Sequence, residues 1–350
     1  MAHDGKTLAS LRAYAKAKNI AIKELSHPGG GVTVIFPAFG GRIMYAGFGA
    51  DNHIFAAPDF DTPAMWQGNY GGLRTWLSPE GGPKGTYFSL DFKNWKCPAS
   101  MDPGAFRTLS ESSREVRLSN DFDVTANDGS HFSLTIGRDM AVGERPTSIS
   151  GAIKHMGIDF THHLKNRGAE TLDRVVDLWH LAQINPGGVI VVPTKGKPQW
   201  RNYFQPIPAD RYTEAADHLV VRVNGALRFK LGVPDIASTG RIAYLQPLAN
   251  GSALAIVKRF SVDANYVHCD RPEGKFDENG DGIQLYNHFT NDDNAFAEIE
   301  CHSPAEVLRP GAGQSFPIRF DIMEGSISDV LAAAGVLLER NIGKLDINGR

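Results

Sequence analysis

Cysteine is scarce in this chain of 350 residues, which contains three cysteines that lie far apart, at Cys97, Cys269 and Cys301. Their separation matches no zinc-binding or dithiol redox spacing, so these common cysteine sites are excluded. We therefore expect three isolated, buried thiols in a protein of a reducing compartment.

The chain also lacks a large excess of positive or negative charge, and it lacks long apolar runs. The formal net charge is −3 at pH 7, so no basic field indicates a nucleic acid or an anionic membrane as a partner. No apolar run reaches signal-peptide or transmembrane length. We expect a cytoplasmic protein, and a periplasmic or secreted location stays open if a leader has been trimmed from the chain. The oligomeric state stays open as well.

The sequence lacks the common nucleotide and metal motifs. It contains no G-x-x-x-x-G-K-[ST], no G-x-G-x-x-G after a strand, no G-x-S-x-G and no H-E-x-x-H. The calcium-like stretch DENGDG (277–282) has His288 at the twelfth position, where a calcium loop requires a bidentate glutamate. We expect neither a cofactor nor a metal.

Glycine and proline are abundant, with 37 and 20 residues scattered between short apolar runs, which is typical of an all-β chain. Asn224-Gly225 and Asn250-Gly251 each separate two β-rich runs and predict hairpins. Helical periodicity appears only at the ends, and Ser326 can cap the second helix. We predict one domain over residues 1–350, with large antiparallel sheets in two packed layers and helical ends at about 1–25 and 326–342.

The stretch YGGLRTWLSPEGGPKG (70–85) indicates a strand with one unusual face. Alternation at strand period places Arg74, Trp76 and Glu80 on one side and Leu73 and Leu77 on the other. Because tryptophan is costly to leave in water, we expect the Arg74 face to line a sugar-sized groove.

Two further strands carry candidate chemistry. In VDLWHLAQINPGG (176–188), His180 shares a face with apolar residues, whereas Trp179 and Gln183 share the other face with an aspartate. The alternation leaves open which face meets a ligand. In NAFAEIECHSP (294–304), Glu298 and Glu300 share one face, and such crowding raises the pKa of at least one carboxyl where solvent is excluded. That suits a general base, although a solvated strand with incidental charge remains equally open.

Several segments together resemble the galactose mutarotase-like superfamily, and more narrowly a bacterial, aldose 1-epimerase-like branch of it. They are FPAFGGRIMYAG, GGLRTWLSPEGG, HHLKNRG…DLWHLAQINPGG and IQLYNHF…AEIECHSP…LRPGAGQSF. The resemblance spans about residues 30–325. It implies a β-supersandwich fold, in agreement with the all-β prediction from composition.

The resemblance also implies roles for particular residues. In aldose 1-epimerases a mid-chain histidine protonates the ring oxygen, and a late glutamate takes the proton of the anomeric hydroxyl. By position these are His180 and Glu300, with Glu298 as neighbour or substitute. Arg74 would then bind hydroxyl or carboxylate oxygens, and Trp76 would pack against a pyranose face.

The chain departs from the epimerase pattern at two points. The Asn-His motif followed by aromatic residues is absent at His180 and occurs instead in YNHF (286–289), and the Glu-x-Gln pattern at the base is replaced by ECH (300–302). If His180 lies between the sheets, we expect His288 or Tyr286 to supply the acid.

Other activities remain open because the same fold carries several functions. A polysaccharide lyase would use Tyr286 or His288 as base, with Arg74 neutralising a uronate. A non-catalytic sugar binder needs only aromatic platforms such as Trp66, Trp76 and Trp179. In each case we expect a small carbohydrate or oligosaccharide as ligand, and we rank an epimerase-like enzyme with His/Glu acid–base chemistry first.

Overall fold

The computed structural model describes residues 7–57, 71–149, 152–290 and 294–348. Helix α1 (Leu8–Ala17) begins where the Thr7 side chain accepts a hydrogen bond from the Ser10 amide. Helix α2 (Ile327–Leu338) is capped in the same way by Ser326, as the sequence predicts. The N-terminal helix is shorter than predicted, because residues 23–26 already form a strand. A short 3-10 helix covers Ala209–Arg211.

The strands of the described residues up to the middle of the chain are β1 (Lys23–Ser26), β2 (Val32–Phe36), β3 (Arg42–Gly47), β4 (Leu73–Ser78), β5 (Arg107–Glu111), β6 (Glu115–Thr125), β7 (His131–Gly143), β8 (Lys154–Asn166), β9 (Leu172–Asp173) and β10 (Asp177–Ile184). Those that follow are β11 (Gly188–Pro193), β12 (Arg201–Asn202), β13 (Tyr212–Glu214), β14 (His218–Val223), β15 (Phe229–Val233), β16 (Arg241–Pro247), β17 (Ala253–Phe260), β18 (Ile283–Asn287), β19 (Ala297–His302), β20 (Val307–Leu308) and β21 (Gly313–Gly325).

These strands form two large sheets. Within the described ranges, the first sheet has nine strands in the order β1-β2-β3-β4-β10-β19-β18-β15-β12. The second sheet has ten, in the order β13-β14-β11-β16-β17-β21-β8-β7-β6-β5, and β9 pairs separately with β20. Neighbouring strands run antiparallel. The predicted all-β architecture with terminal helices is confirmed.

One of the two predicted hairpins forms and the other does not. Asn250-Gly251 connects the paired strands β16 and β17, with Gly251 at φ +81°. By contrast, the chain crosses at Asn224-Gly225 from β14 in the second sheet to β15 in the first. That hairpin prediction is wrong, because the two flanking runs find their pairing partners in different sheets.

The core explains which sheet face stays available for a ligand. The largest apolar cluster fills the space between the sheets, and it includes Leu178 and Ala182 of β10 with Phe160 and Phe320 of the second sheet. Helix α2 covers an outer part of the second sheet, and α1 covers the strands β2 and β3. The outer face of the first sheet from β4 to β15 is left to line a cavity.

The described part of the chain contains no helix long and apolar enough to cross a membrane. Cys97, Cys269 and Cys301 are buried and form no disulfide, as expected. Burial raises the pKa of the Cys97 and Cys269 thiols well above the ordinary value. Among the described residues, no three His, Cys, Asp or Glu side chains are grouped so that they could hold a metal ion.

Candidate functional site

A cavity of about 360 Å³ lies on the outer face of the first sheet, within the size range of small-molecule sites. We call it the groove. Five neighbouring strands, β4, β10, β19, β18 and β15, supply its floor, and loops supply its walls. Its lining residues are Arg74, Trp76, Glu80, Phe88, Trp95, Trp179, Leu181, Gln183, Phe204, Arg228, Lys230, Tyr286, His288, Phe296, Glu298 and Glu300.

Strand register brings residues that are distant in sequence side by side. On the central strand β10, Trp179 pairs with Trp76 of β4, and Leu181 pairs with Arg74 on one side and with Glu300 on the other. Because alternate residues of a strand share a face, one set of side chains from each strand meets in the groove. The sequence predicted each of these strand faces separately, and the pairing of the strands brings them side by side in the groove.

Glu300 has the surroundings of a general base. It is fully buried, and its Oε2 accepts a hydrogen bond from Trp179 Nε1 at 2.8 Å and lies 3.3 Å from Lys230 Nζ. Its Oε1 has no hydrogen-bond partner among the described residues. Burial raises the pKa of Glu300 to about 7, although Lys230 acts in the opposite direction. Near neutral pH this carboxyl can therefore both accept and return a proton.

Sequence reasoning missed Lys230, the cation beside Glu300. Its Nζ lies 3.4 Å from Asp270, 4.0 Å from Glu80 and 4.5 Å from the centre of the Trp179 ring. Burial alone would lower the pKa of Lys230, but the surrounding carboxylates raise it above its ordinary value, so it stays charged. The signal was a lysine inside the otherwise apolar run FKLGV (229–233).

Glu298 is held by two donors that share one of its oxygens. Its Oε1 accepts hydrogen bonds from Arg74 Nη2 and from Gln183 Nε2, both at 2.9 Å. The Nε and Nη1 atoms of Arg74 are buried and have no hydrogen-bond partner in the described part of the chain. Arg74 can therefore donate to oxygens of a ligand.

The aromatic residues pack against one another as well as lining the groove. Trp76 meets Trp179 edge-on at 5.8 Å and donates from Nε1 to Asp102 Oδ2 at 2.5 Å. The Arg74 guanidinium lies 4.1 Å from the Trp76 ring centre and so occupies one of its faces. Trp95, which the sequence analysis missed, holds Glu80 through a hydrogen bond of 2.9 Å from Nε1 to Oε1.

Tyr286 and His288 form a hydrogen-bonded pair in the wall of the groove. The Tyr286 hydroxyl accepts from Arg228 Nε at 3.0 Å and lies 2.7 Å from His288 Nδ1. Donation by this hydroxyl to Nδ1 puts the proton of a neutral imidazole on Nε2. Burial raises the pKa of Tyr286 to about 12, so the phenol keeps its proton at neutral pH.

His180 does not reach the groove, so the expectation that it protonates a bound sugar is wrong. It is fully buried between the sheets, with its ring 5.0 Å from that of Phe160 and 4.9 Å from that of His162. Burial, followed by the charge of Lys258, lowers its pKa well below the ordinary value. The opposite face of β10, with Trp179 and Gln183, meets the groove.

The other predicted residues fall into two groups. Most lie where the groove hypothesis requires them, since the lining contains Arg74, Trp76, Glu80, Trp179, Gln183, Tyr286, His288, Glu298 and Glu300. Trp66 lies outside the described residues. Whether these groups act on a sugar stays a prediction.

Comparisons with solved structures identify the fold. A galactose mutarotase-like protein from Lactobacillus casei superposes with a TM-score of 0.50 at 10% identity, over 86% of this chain and 100% of that one. A candidate aldose 1-epimerase from Escherichia coli gives 0.49 at 13% identity, over 87% and 99% of the two chains. A galactose mutarotase related enzyme from Lactobacillus acidophilus gives 0.43 at 9% identity, over 87% and 98%. The match to the Lactobacillus casei protein gives this chain a galactose mutarotase-like fold, as the sequence resemblance predicted.

Sequence comparisons give a family but no activity. A search of curated proteins found no match. A family model matches residues 11–338, which is most of the chain. The chain thus belongs to DUF6786, a family of unknown function.

Proposed function

We propose that this protein binds a sugar in the groove and interconverts its anomers, as an aldose 1-epimerase-like enzyme. One observation carries the proposal: the buried Glu300 carboxyl has a pKa of about 7 and an Oε1 atom without a hydrogen-bond partner among the described residues. A general base is most effective when its pKa lies near the working pH. The galactose mutarotase-like fold supports the same reaction class.

The chemistry requires one base and one acid on either side of the C1–O5 bond. Glu300 takes the proton of the anomeric hydroxyl, C1–O5 breaks, and C1 becomes an aldehyde carbon. His288 Nε2 gives its proton to O5 while the Tyr286 hydroxyl passes its own proton to His288 Nδ1, so the imidazole stays neutral and the negative charge comes to rest on Tyr286 beside the Arg228 guanidinium. After rotation about C1–C2 these transfers run in reverse and close the ring on the other face, so Glu300, His288 and Tyr286 regain their starting protonation states.

Strand register sets the backbone separation between these two groups. His288 donates its backbone N–H to Phe296 O, and Phe296 precedes Glu300 by four residues. At about 3.3 Å per residue, the backbones of the acid and the base are about 13 Å apart along the strand. Both side chains line the groove, and in the reaction they must converge on C1, because the anomeric oxygen and O5 are both bonded to that carbon.

The remaining groove residues suit sugar recognition. The half-buried ring of Trp95 offers an apolar surface to the C–H groups of a pyranose. Arg74 and Lys230 offer N–H groups to its hydroxyl oxygens. Pockets that combine aromatic walls with a few fixed polar groups bind ligands in one orientation.

Polarimetry on freshly dissolved α-D-glucose and α-D-galactose tests the proposal. We expect the protein to accelerate mutarotation, and Glu300→Gln to lower kcat by about 10²–10⁴-fold because a general base is lost. The circular dichroism spectrum and the sugar-induced rise in melting temperature should persist in this variant. Glu306→Gln, at an exposed glutamate outside the groove, is the matched control.

Two other outcomes identify the competing functions. Sugar binding by thermal shift without any acceleration of mutarotation would indicate a non-catalytic binder. Ultraviolet absorbance of a newly formed unsaturated uronate would indicate a lyase, for which the unpartnered Arg74 nitrogens could neutralise the uronate carboxylate. We rank the lyase lower, because a Tyr286 whose pKa is raised to about 12 is a poor base.

A further inference from the structure

A second, smaller cavity of about 150 Å³ adjoins the groove. The two cavities share four lining residues, Glu80, Phe88, Phe204 and Arg228. The second cavity has its own lining in addition, which includes Phe92, Arg271 and Glu273. The two cavities therefore meet at the four shared residues.

Phe88, Phe92 and Phe204 form the apolar wall of this second cavity, and Phe276 packs behind Phe92. The ring of Phe92 lies 5.4 Å from that of Phe88 and is stacked at 6.1 Å on that of Phe276. Phe92 adopts φ +55°, a left-handed conformation that is costly for any residue except glycine. Gly81 leaves the space this ring fills, since a Cβ there would come within 2.5 Å of it. The wall is thus held in place at a conformational cost.

The rim of the second cavity exposes an aromatic ring and an arginine. Phe204 is 43% exposed, and the Arg228 guanidinium lies 4.7 Å from its ring centre. Such an aromatic face left in water is suited to the apolar face of a pyranose ring.

The polar groups favour a neutral ligand over an anionic one. The buried Nε of Arg271 has no hydrogen-bond partner among the described residues and can donate to a hydroxyl oxygen. The same cavity contains the carboxylates of Glu80, Asp270 and Glu273, which would repel a phosphate or a uronate. Sugar hydroxyls can donate to these carboxylates and accept from the arginines.

We infer that the second cavity is a subsite for a second, neutral sugar ring, so that the ligand is an oligosaccharide held through its reducing end. This inference rests on the proposed function, because the reducing-end ring is the one with the anomeric hydroxyl that Glu300 needs. That ring occupies the groove, and the next ring packs against Phe88, Phe92 and Phe204. The substrate class is then a reducing disaccharide or a longer glycan.

Calorimetric titration of the full chain tests the inference with matched pairs of probes. D-glucose is compared with maltose and cellobiose, and D-galactose with a disaccharide whose reducing-end residue is galactose. We expect at least one disaccharide to bind about tenfold or more tightly than its reducing-end monosaccharide. Phe92→Gly removes the ring while keeping a residue suited to positive φ, and Arg271→Ala removes the donor.

Each variant should weaken the binding of that disaccharide by about three- to tenfold and leave monosaccharide binding unchanged. Leu90→Ala, at an exposed residue of the same loop that lines neither cavity, should change neither affinity. Equal affinities for every disaccharide and its monosaccharide would overturn the inference, as would equal weakening of both by Phe92→Gly and Arg271→Ala. Tighter binding of a sugar phosphate than of any disaccharide would overturn it too.

The two proposals fail in different ways. If the disaccharide preference is present but no sugar mutarotates faster, the proposed function is wrong and the subsite stands. If monosaccharides and disaccharides mutarotate with equal kcat/KM and bind equally, the subsite is wrong and the proposed function stands.

Discussion

At the scale of single residues, Glu300 is balanced between opposing influences. Burial raises its pKa and so does the charge of the neighbouring Glu298, whereas Lys230 at 3.3 Å stabilises the ionised form. The Trp179 N–H also favours the carboxylate. The result is a carboxyl that changes its charge near pH 7 and not near pH 4.

This balance gives a pH dependence for the reaction. We expect log(kcat/KM) for mutarotation to rise with pH and to level off above about 7, because Glu300 must be ionised to act as base. Lys230→Met removes the nearest cation, so the pKa of Glu300 should rise. The acidic limb of the pH profile should then shift to higher pH by about one unit or more. Lys230→Arg keeps the charge and should leave the limb in place. A limb that stays fixed in Lys230→Met would show that another group controls it.

His180 offers a second test at the same scale. Both of its ring nitrogens are buried without hydrogen-bond partners among the described residues. Unpaired buried polar groups cost about 1–3 kcal/mol each, so His180→Leu should leave the free energy of unfolding unchanged or higher. Mutarotation should stay within about twofold of the wild type, since the residue does not touch the groove. A loss of about 10²-fold or more, measured by polarimetry, would restore His180 as the acid.

At the scale of elements, the strand β10 shows why a sequence can identify the strand that forms a site without showing which face of that strand lines the groove. All eight of its residues are buried, since one face packs on the second sheet and the other faces the groove. A strand with two buried faces lacks the usual contrast between a wet and a dry side. The side chains of His180 and Trp179 therefore looked equally suitable.

Glycines at strand ends position these elements. Gly72 adopts φ +75° just before β4, and a Cβ there would lie 2.2 Å from the Ile43 carbonyl oxygen of β3. Gly251 in the β16–β17 hairpin has φ +81° but an open environment. Gly251→Ala should thus lower the free energy of unfolding by about 1–2 kcal/mol, because alanine meets only the cost of the left-handed backbone conformation there.

Gly72→Ala adds a clash with rigid backbone and should cost at least about 3 kcal/mol, together with a weaker sugar affinity because β4 carries Arg74. Urea denaturation compares the two variants. Equal losses in both would mean that the contact between β3 and β4 relaxes without cost.

At the scale of the whole molecule, buried charges connect strands as well as forming the groove. Asp321 of β21 accepts hydrogen bonds from His155 of β8 at 2.8 Å and from Arg259 of β17 at 2.9 Å, and also pairs with Arg319. Burial alone would raise the pKa of Asp321, but these donors lower it to about 2. The carboxylate therefore helps to hold three neighbouring strands of the second sheet together.

The sign of the resulting pH effect on stability follows from that lowered pKa. The folded-state pKa lies below the unfolded value of 3.8, so the contribution of Asp321 is complete above pH 4 or so and is lost as the pH falls toward about 2. Asp321→Asn should lower the free energy of unfolding by about 3 kcal/mol at pH 7. The difference from wild type should shrink between about pH 4 and pH 2 in urea titrations. Asp277→Asn, in an exposed turn, should show no such difference.

The sequence by itself determined the local features of this protein. Side-chain alternation placed Arg74 on the same strand face as Trp76, and Glu298 on the same face as Glu300. The backbone preferences of asparagine and glycine predicted the Asn250-Gly251 turn. Both features depend only on residues that are close together in the chain. The resemblance to the galactose mutarotase-like superfamily supplied the fold. The single-domain organisation stays a prediction.

Only the tertiary structure decided which strand faces meet. Lys230 joins Glu300 across three strands of the first sheet, although 70 positions separate them in the sequence. The second sheet covers His180, and the flanks of Asn224-Gly225 pair in different sheets. Strand alternation says that two faces differ but not which of them another sheet will cover, because that choice depends on long-range packing of apolar area.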